Sequence, residues 1–512
     1  MPKHCIVFFD EKTRKVKEIK ESIVFASGQD NMSFHCQQPD DRLILGLILD
    51  DEDILRKDEM VVVRNEKIDQ FGEFYIQLDD KKIFVFNKEK VSGKPVVVDC
   101  DVFSGTGYGM LSREFMKRII KKNDSIIINP INSSGLFQTC LSNEDNVFSH
   151  KFISCEDLEN LGNNIIHMRI YPPKINFPRK CYNIAYTMLE SYTLNHFYIK
   201  MMEASYDRFI VPTHFIKGVF SKYINEDRIK VIPLGVDTNV FNSKVKQEDV
   251  IFKKVDLKNK IINTTNEIPK NFKFVSAARF SHRKGCDLVL KAFANEFNNV
   301  KDDVSLVLFF LPENENNKQH FHNRVLSILS NYDIDKIPPI YMCDEPWPTN
   351  KQHLPYGWAD CFVFPSRGEG FGLTPMEAGA CKIPVIASCN SGLSDFISDE
   401  TAFVVPTDKI ENVGKMSPIV SPDGNINFAY EGDHPEWTED IFHQHTWECD
   451  FPIMYGKDTI DIIGKHMRYV YENPYSKQVN QRVENFHSLI HTEYNWDILA
   501  DQLNEEISKY QC

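Results

Sequence analysis

The chain has 512 residues, and 73 acidic against 59 basic side chains leave a formal net charge of −14. At roughly 150 residues per domain, that length implies several domains. The acidic balance excludes a protein that coats nucleic-acid phosphates, because such binding needs a basic surface, but it permits a local basic pocket. Hydrophobic residues make up 42% and charged residues 26%, a globular mixture rather than a disordered one.

No apolar run approaches the roughly 18 residues of a membrane-spanning helix. The densest, Leu43–Leu49 and Ser305–Leu311, are of strand length. The first residues, Met1 to Cys5, lead into a short apolar patch that soon meets Asp10, Glu11 and Lys12. That is not the pattern of a secretory leader. The 13 cysteines are odd in number and scattered, as expected of free thiols in a reducing compartment. The expectation is a soluble, cytoplasmic, multidomain protein. No nucleic-acid partner and no transmembrane segment are expected, and peripheral membrane contact is left open.

Residues 1–95 carry short alternating stretches separated by charged turns, which predicts a β-rich N-terminal extension. From 96 to 238 buried-type strands alternate with helical patterns, beginning with Pro95–Phe103, a Gly-rich loop at Ser104–Gly109 and an amphipathic helix at Met110–Lys122. Residues 239–271 are polar, rich in Lys and Asn, and read as a linker with a variable surface segment. A second alternating series runs through 272–475, and residues 476–512 are helical. Alternation of this kind predicts α/β domains with parallel sheets and right-handed crossovers. Two such series predict two doubly wound, Rossmann-like domains facing a cleft at the C-terminal ends of their strands.

The densest chemical signal is Phe364–Ala378. A strand leads into the Gly-rich loop Gly368-Glu369-Gly370-Phe371-Gly372, and Leu373-Thr374-Pro375-Met376-Glu377 opens a helix. Glycines let a backbone approach a ligand closely, and a helix N-terminus suits phosphate. Glu369 and Glu377 are acceptor-only when ionised, which fits them to hold a polyol. Thr374-Pro375-Met376-Glu377 also reads as a capping box, with Thr at the N-cap and Glu at N3. The second signal is Arg279-Phe280-Ser281-His282-Arg283-Lys284-Gly285, between a strand and a helix. Arg279 and Lys284 at a strand end suit an anionic ligand, the alternative being a solvated charged loop.

Together these segments resemble nucleotide-sugar-dependent glycosyltransferases of the GT-B fold, glycosyltransferase family 4 (group 1). Glu369 and Glu377 match that family's Glu-x7-Glu motif, and Arg279 with Lys284 and Gly285 match its Arg-x4-Lys motif. Val231-Ile232-Pro233-Leu234-Gly235-Val236-Asp237 matches the segment ahead of its second domain. The resemblance is densest over 207–405.

It implies an enzyme, a retaining, metal-independent glycosyltransferase with no prosthetic group. The donor would be a nucleoside-diphosphate sugar, UDP- or GDP-linked, and the acceptor a hydroxyl of a glycan, lipid or protein. Arg279 and Lys284 would hold the diphosphate and stabilise it as a leaving group. Glu377 would take the ribose hydroxyls, and Glu369 would contact the transferred sugar as a catalytic residue. The backbone of Gly370, Phe371, Gly372 and Leu373 would line the donor, with Gly107 approaching from the first half. His167 and Glu190 are weak acceptor-side candidates, a lone His within a strand such as His167 being more often a packed core residue. The C-terminal helix would pack back on the N-terminal half.

Two departures from the family stand out: Lys382 where many members have Gly, and Ser391-Gly392-Leu393-Ser394-Asp395 where many have Gly-Gly-x-x-Glu. His443, His445 and Cys449 lack the partners of a metal site. The rival readings are a phosphorylase or epimerase on the same architecture, or a catalytically silent sugar-nucleotide-binding or scaffold protein.

Overall fold

The computed structural model describes residues 3–10, 15–22, 43–49, 75–78 and 81–84 of the N-terminal region, and most of the chain from 94 to 511. Outside the described residues in that range lie 104–105, 132–150, 154–164, 173–180, 195, 270, 280, 299–301, 311–314, 334, 346–350, 413–414, 421–425, 432–449 and 453–456. His443, His445 and Cys449 therefore fall outside them, as do Ser104 and Gly105. The chain divides into two compact units. The first comprises 1–186, 205–208 and 500–512, the second 187–204 and 209–499.

The first unit opens with strands β1 (Lys3–Asp10), β2 (Lys15–Ser22) and β3 (Leu43–Leu49), which form an antiparallel sheet in the order β2-β1-β3. A hairpin of β4 (Tyr75–Leu78) and β5 (Lys81–Phe84) follows. The α/β part of this unit contains β6 (Val96–Cys100), helix α1 (Gly107–Ile119), β7 (Ile126–Pro130), β8 (Ile166–Ile170) and β9 (Tyr182–Tyr186). The four strands are parallel, in the order β9-β8-β6-β7. Such strands are buried on both faces, which accounts for runs like Val96-Val97-Val98. Helix α1 starts three residues earlier than its apolar periodicity predicts. The Thr106 hydroxyl accepts from the Gly109 N–H at 3.1 Å, so Gly107, Tyr108 and Gly109 form the first turn rather than a loop.

The second unit takes all but Ser205 of α2 (His196–Ser205) and all but Arg208 of β10 (Arg208–Val211), then α3 (His214–Phe220) and β11 (Ile229–Val231), with β10 and β11 parallel. Its centre is a sheet of eight strands: β12 (Phe252–Asp256), β13 (Ile261–Thr265), β14 (Phe272–Ala277), β15 (Val304–Phe309), β16 (Ile340–Cys343), β17 (Cys361–Phe364), β18 (Val385–Ser388) and β19 (Phe403–Val405). The spatial order is β13-β12-β16-β15-β14-β17-β18-β19. Strands β14 to β19 are parallel. The hairpin β12–β13 lies within the segment read as a linker and adds antiparallel to β16. Its strands are short and half-exposed, so they lack the apolar run that marks a buried strand.

Helices α4 (Cys286–Glu296), α5 (Glu315–Leu329), α6 (Leu354–Gly357) and α7 (Leu373–Ala380) connect these strands. Short strands β20 (Ile410–Asn412), β21 (Lys415–Val420), β22 (Ile426–Glu431) and β23 (Asp450–Pro452) pair as β20–β23 and β21–β22. Helices α8 (Lys457–Glu472), α9 (Lys477–Glu493) and α10 (Trp496–Ser508) end the chain. The core of the second unit gathers α4, α5 and α8 against the sheet, through Phe274, Phe293, Phe297, Val325 and Met467 among others. From Ala500 onward α10 belongs to the first unit, where Tyr510 stacks on Tyr182 and Glu506 takes Arg208 at 2.7 Å.

Candidate active site

In the eight-stranded sheet the strand order reverses between β14 and β17, so the loops leaving their C-terminal ends diverge and open a crevice. The two segments singled out in the sequence leave these two strand ends. Gly285, with φ +71°, is the N-cap of helix α4. A Cβ there would lie 2.1 Å from the Pro365 carbonyl oxygen, so only glycine lets the two loops come this close. Gly372 has φ +112°, and a Cβ on it would meet Leu393 Cδ2 at 2.4 Å.

A buried ion pair supports the second loop from below. The Arg367 guanidinium, wholly buried, forms a fork on Asp287 of α4 at 2.8 and 3.0 Å. Burial alone would push the Asp287 carboxyl up, but Arg367 outweighs it and holds the group well below the usual carboxylate range.

Above that pair the loop carries Glu369. Lys284 Nζ donates to both its oxygens, at 2.7 and 2.8 Å, and Ser366 Oγ donates to Oε1 at 2.7 Å. Arg283 Nη1 lies 3.3 Å from the same oxygen, and Arg283 Nε lies 3.2 Å from Glu190 Oε2. One guanidinium therefore serves both carboxylates. Burial raises the Glu369 pKa, but Lys284 and then Arg283 overcome this and lower it below its ordinary value. The Glu369 N–H donates to Ser391 Oγ at 2.8 Å, and the Gly392 N–H to the Glu369 carbonyl at 2.8 Å. Ser391 has φ +46°, and a Cβ on Gly392 would sit 2.5 Å from the Gly370 carbonyl oxygen. The segment 391–395 thus backs the glycine loop. The Asp395 carboxylate instead accepts from the His214 and Phe215 N–H groups, at 2.7 and 3.3 Å, at the start of α3.

The second carboxylate has different surroundings. Glu377 is buried, and its hydrogen-bond partner is the Tyr356 hydroxyl, which donates to Oε2. Burial raises the Glu377 pKa to about 7, and Tyr356 offsets only part of that rise. The capping-box reading fails here. Gly372 is the N-cap and Leu373 the first helical residue, so Glu377 lies beyond N3. The left-handed Gly372 starts the helix two residues before Thr374, and Pro375 is tolerated because the first turn's N–H groups have no intrahelical partner anyway.

The structure therefore brings together Glu369, Lys284 and Glu190, with the Gly370–Leu373 loop beside them. Arg279 is exposed at the end of β14. Gly107, the exposed first residue of α1, and His167 both belong to the other unit. His167 Nε2 lies 3.0 Å from Asp99 Oδ2 within the parallel sheet, wholly buried. Asp99 also accepts from Asn129 at 2.7 Å. Its carboxyl, pushed up by burial but pulled down by His167 and Asn129, settles at about 2. Arg283, Ser366, Ser391 and Tyr356 carry no assigned role in the sequence reading. Arg283 was signalled by its place beside Lys284. Tyr356 lies 21 residues before Glu377, on another element, and no spacing rule joins them. No group of three or more His, Cys, Asp or Glu side chains among the described residues is placed to hold a metal ion.

Residues 258–416, a minority of the chain, match the family described as glycosyl transferases, group 1. A D-inositol 3-phosphate glycosyltransferase of Pseudarthrobacter chlorophenolicus is 30% identical over 175 residues, 33% of this chain and 36% of that protein. The protein of the same name from Paenarthrobacter aurescens is 30% identical over 179 residues, 34% and 38%. The matches span little more than a third of these relatives' length. Among solved structures, HepE of Anabaena in complex with UDP and glucose superposes with a TM-score of 0.54 at 11% identity, covering 81% of this chain and all of that one. A glycosyltransferase from Rickettsia africae gives 0.52 at 14%, covering 82% of this chain and all of that one. The chain has the GT-B fold of these glycosyltransferases, with a stretch of the group 1 family sequence across the sheet that carries Glu369 and Glu377.

Proposed function

We propose that this chain is a retaining, metal-independent glycosyltransferase of family 4 type, which moves a sugar from a UDP- or GDP-linked donor to a hydroxyl acceptor. One observation carries the proposal: a glycine-walled loop at the strand-order reversal, with Glu369 gripped by Lys284 where a diphosphate would meet the same cations. The UDP complexes of the HepE protein, on the same fold, agree with that donor class.

As the bond between sugar and diphosphate breaks, negative charge grows on the leaving oxygens. On this reading Arg279 and Lys284 supply the positive charge that stabilises those oxygens, an electrostatic contribution of the oxyanion-hole kind. Glu369 fixes the direction of Lys284 and presents an acceptor to the transferred sugar. Glu377 takes the ribose hydroxyls, and the Gly370–Leu373 backbone lines the donor. On this reading Gly107 contributes to the donor side, Glu190 serves the acceptor side, and the enzyme works in the cytoplasm, while His167, wholly buried against Asp99, is a core residue. The acceptor is a glycan, lipid or protein hydroxyl. No helix among the described residues is long and apolar enough to cross a membrane.

The test is a panel of UDP- and GDP-sugars, read by thermal shift and product analysis, because a bound donor stabilises the fold by mass action. A donor that both stabilises and turns over, with transfer lost in Glu369→Ala at unchanged circular dichroism, is the expected result. Products made only with phosphate or water as acceptor would assign a different reaction. Full activity in Glu369→Ala would remove the proposed role.

A further inference from the structure

We infer that Tyr356 is a positioning residue for nucleotide recognition: its hydroxyl clamps one oxygen of Glu377 and holds the carboxylate ready for a ribose diol. The inference rests on the proposed donor reading and adds to it a second side chain and a pH dependence.

The clamp is rigidly built. Tyr356 sits on the four-residue helix α6, buried, with its ring 5.7 Å from that of Phe241 and 5.6 Å from that of Phe362. The polar segment before β12 closes over this turn. A Cβ on Gly357 would strike the Lys246 carbonyl oxygen at 2.2 Å, and Trp358 Nε1 donates to the Glu248 carbonyl at 3.1 Å. Burial pushes the Tyr356 hydroxyl far above its ordinary range, so it stays a donor at every working pH. A carboxylate has about four lone-pair sites, and Tyr356 uses one of them. The rest suit two vicinal hydroxyls, which are donors. A protonated Glu377 would lose acceptor capacity.

The groups around Glu377 are few. Tyr356 faces it from α6, and Cys381 lies one turn further along its own segment. Of the strands packed on α7, β17 contributes Cys361, and β18 has no titratable side chain. From α9, His487 bonds the Ala380 carbonyl and Glu484 pairs with Lys382, both at the far end of α7. Among the described residues no cation stands beside Glu377 to hold its proton off. Among the described residues, the Tyr356 hydroxyl is the polar group that favours the ionised form.

The experiment is calorimetric titration of the whole protein with UDP and with GDP between pH 5.5 and 9. For the wild type, affinity is expected to rise through about pH 7 as Glu377 ionises. In Tyr356→Phe the midpoint moves up by about one pH unit, the worth of one hydrogen bond to a charged group. Binding is then about fivefold weaker at pH 7 and converges with wild type at high pH. Glu377→Gln flattens the profile, and adding Tyr356→Phe to it changes nothing further.

A Tyr356→Phe profile with unmoved midpoint, or one lowered by the same factor at every pH, overturns the inference. A second probe needs only the wild type. The 2′,3′-dideoxy analogue of whichever diphosphate binds keeps only the rise due to its own terminal phosphate, whose second pKa is about 6, and a rise equal to that of the parent overturns the ribose contact. If neither UDP nor GDP binds the wild type at any pH, the donor reading falls and this inference with it. Binding without the Tyr356 effect removes the inference alone.

Discussion

Glu369 and Glu377 stand on one loop-and-helix segment, both buried, yet they meet opposite fates. Glu369 lies among Lys284, Arg283 and the Ser366 hydroxyl, and is held ionised. Glu377 lies among apolar neighbours with one tyrosine hydroxyl, and burial carries its pKa to about 7. The motif spacing is blind to this difference. What decides it is the loop after β14, which delivers two cations to the first carboxylate and none to the second. A grip on a charged group and a grip on a polyol require these two environments.

The contrast can be broken from either side. After the loss of transfer expected in Glu369→Ala, the next largest effect is expected of Lys284→Met. Removing Lys284 leaves the buried Glu369 with only the more distant Arg283 and the Ser366 hydroxyl, and costs up to about 4 kcal/mol. Urea denaturation should show that loss, and Glu369→Gln on the same background should return most of it. Additive losses in the double variant would show that the two side chains do not depend on one another.

Glu377→Gln tests the other half. A carboxyl whose pKa is raised on folding contributes stability that is present at acid pH and lost as the pH climbs through its folded value. The neutral amide escapes that loss. The variant is therefore expected to be more stable than wild type at pH 8, by about 3 kcal/mol from the rise to about 7, and equal to it near pH 4. Glu369 and Asp287 have the opposite sign, since their lowered pKa values contribute stability that is lost on acidification. A Glu377→Gln protein less stable at pH 8 would show that burial does not strain this group.

The smallest effect concerns Lys382, at the end of α7. The end of α7 is a Schellman turn: the Ile383 N–H bonds the Ala378 carbonyl at 3.1 Å and the Lys382 N–H bonds that of Gly379 at 3.0 Å. Lys382 sits in that turn with φ +60°, a conformation that disfavours a side chain. Its surface pair with Glu484, at 2.7 Å, returns little. Lys382→Gly is expected to stabilise the protein by about 1 kcal/mol in thermal unfolding, leaving nucleotide affinity unchanged.

Much of this architecture was legible in the chain. Strand β14 with its basic loop, and strand β17 with its glycine loop, stand out because buried parallel strands are apolar runs and the loops after them concentrate Gly and charge. The hairpin Phe252–Thr265 was not legible, since its strands are short, half-exposed and rich in Lys and Asn. The start of α7 was misplaced because a left-handed glycine outranks a Thr-Pro capping signal two residues on. The partners of the two carboxylates were hidden for a different reason. Arg283, Glu190 and Tyr356 reach them through tertiary packing, from elements whose spacing in sequence has no period to read.

The central claim, that the loop ends of β14 and β17 bind a nucleoside diphosphate, is tested most directly by calorimetric titration of UDP and GDP into wild type and Arg279→Ala. Arg279 is exposed at the end of β14, and the variant's circular dichroism and melting temperature are compared with those of the wild type alongside the titration. The account predicts that one of the two diphosphates binds the wild type and that its affinity falls at least about tenfold in the variant, the worth of one charge-assisted contact to phosphate. Equal affinity in the two proteins, or no binding of either diphosphate to the wild type, would contradict it.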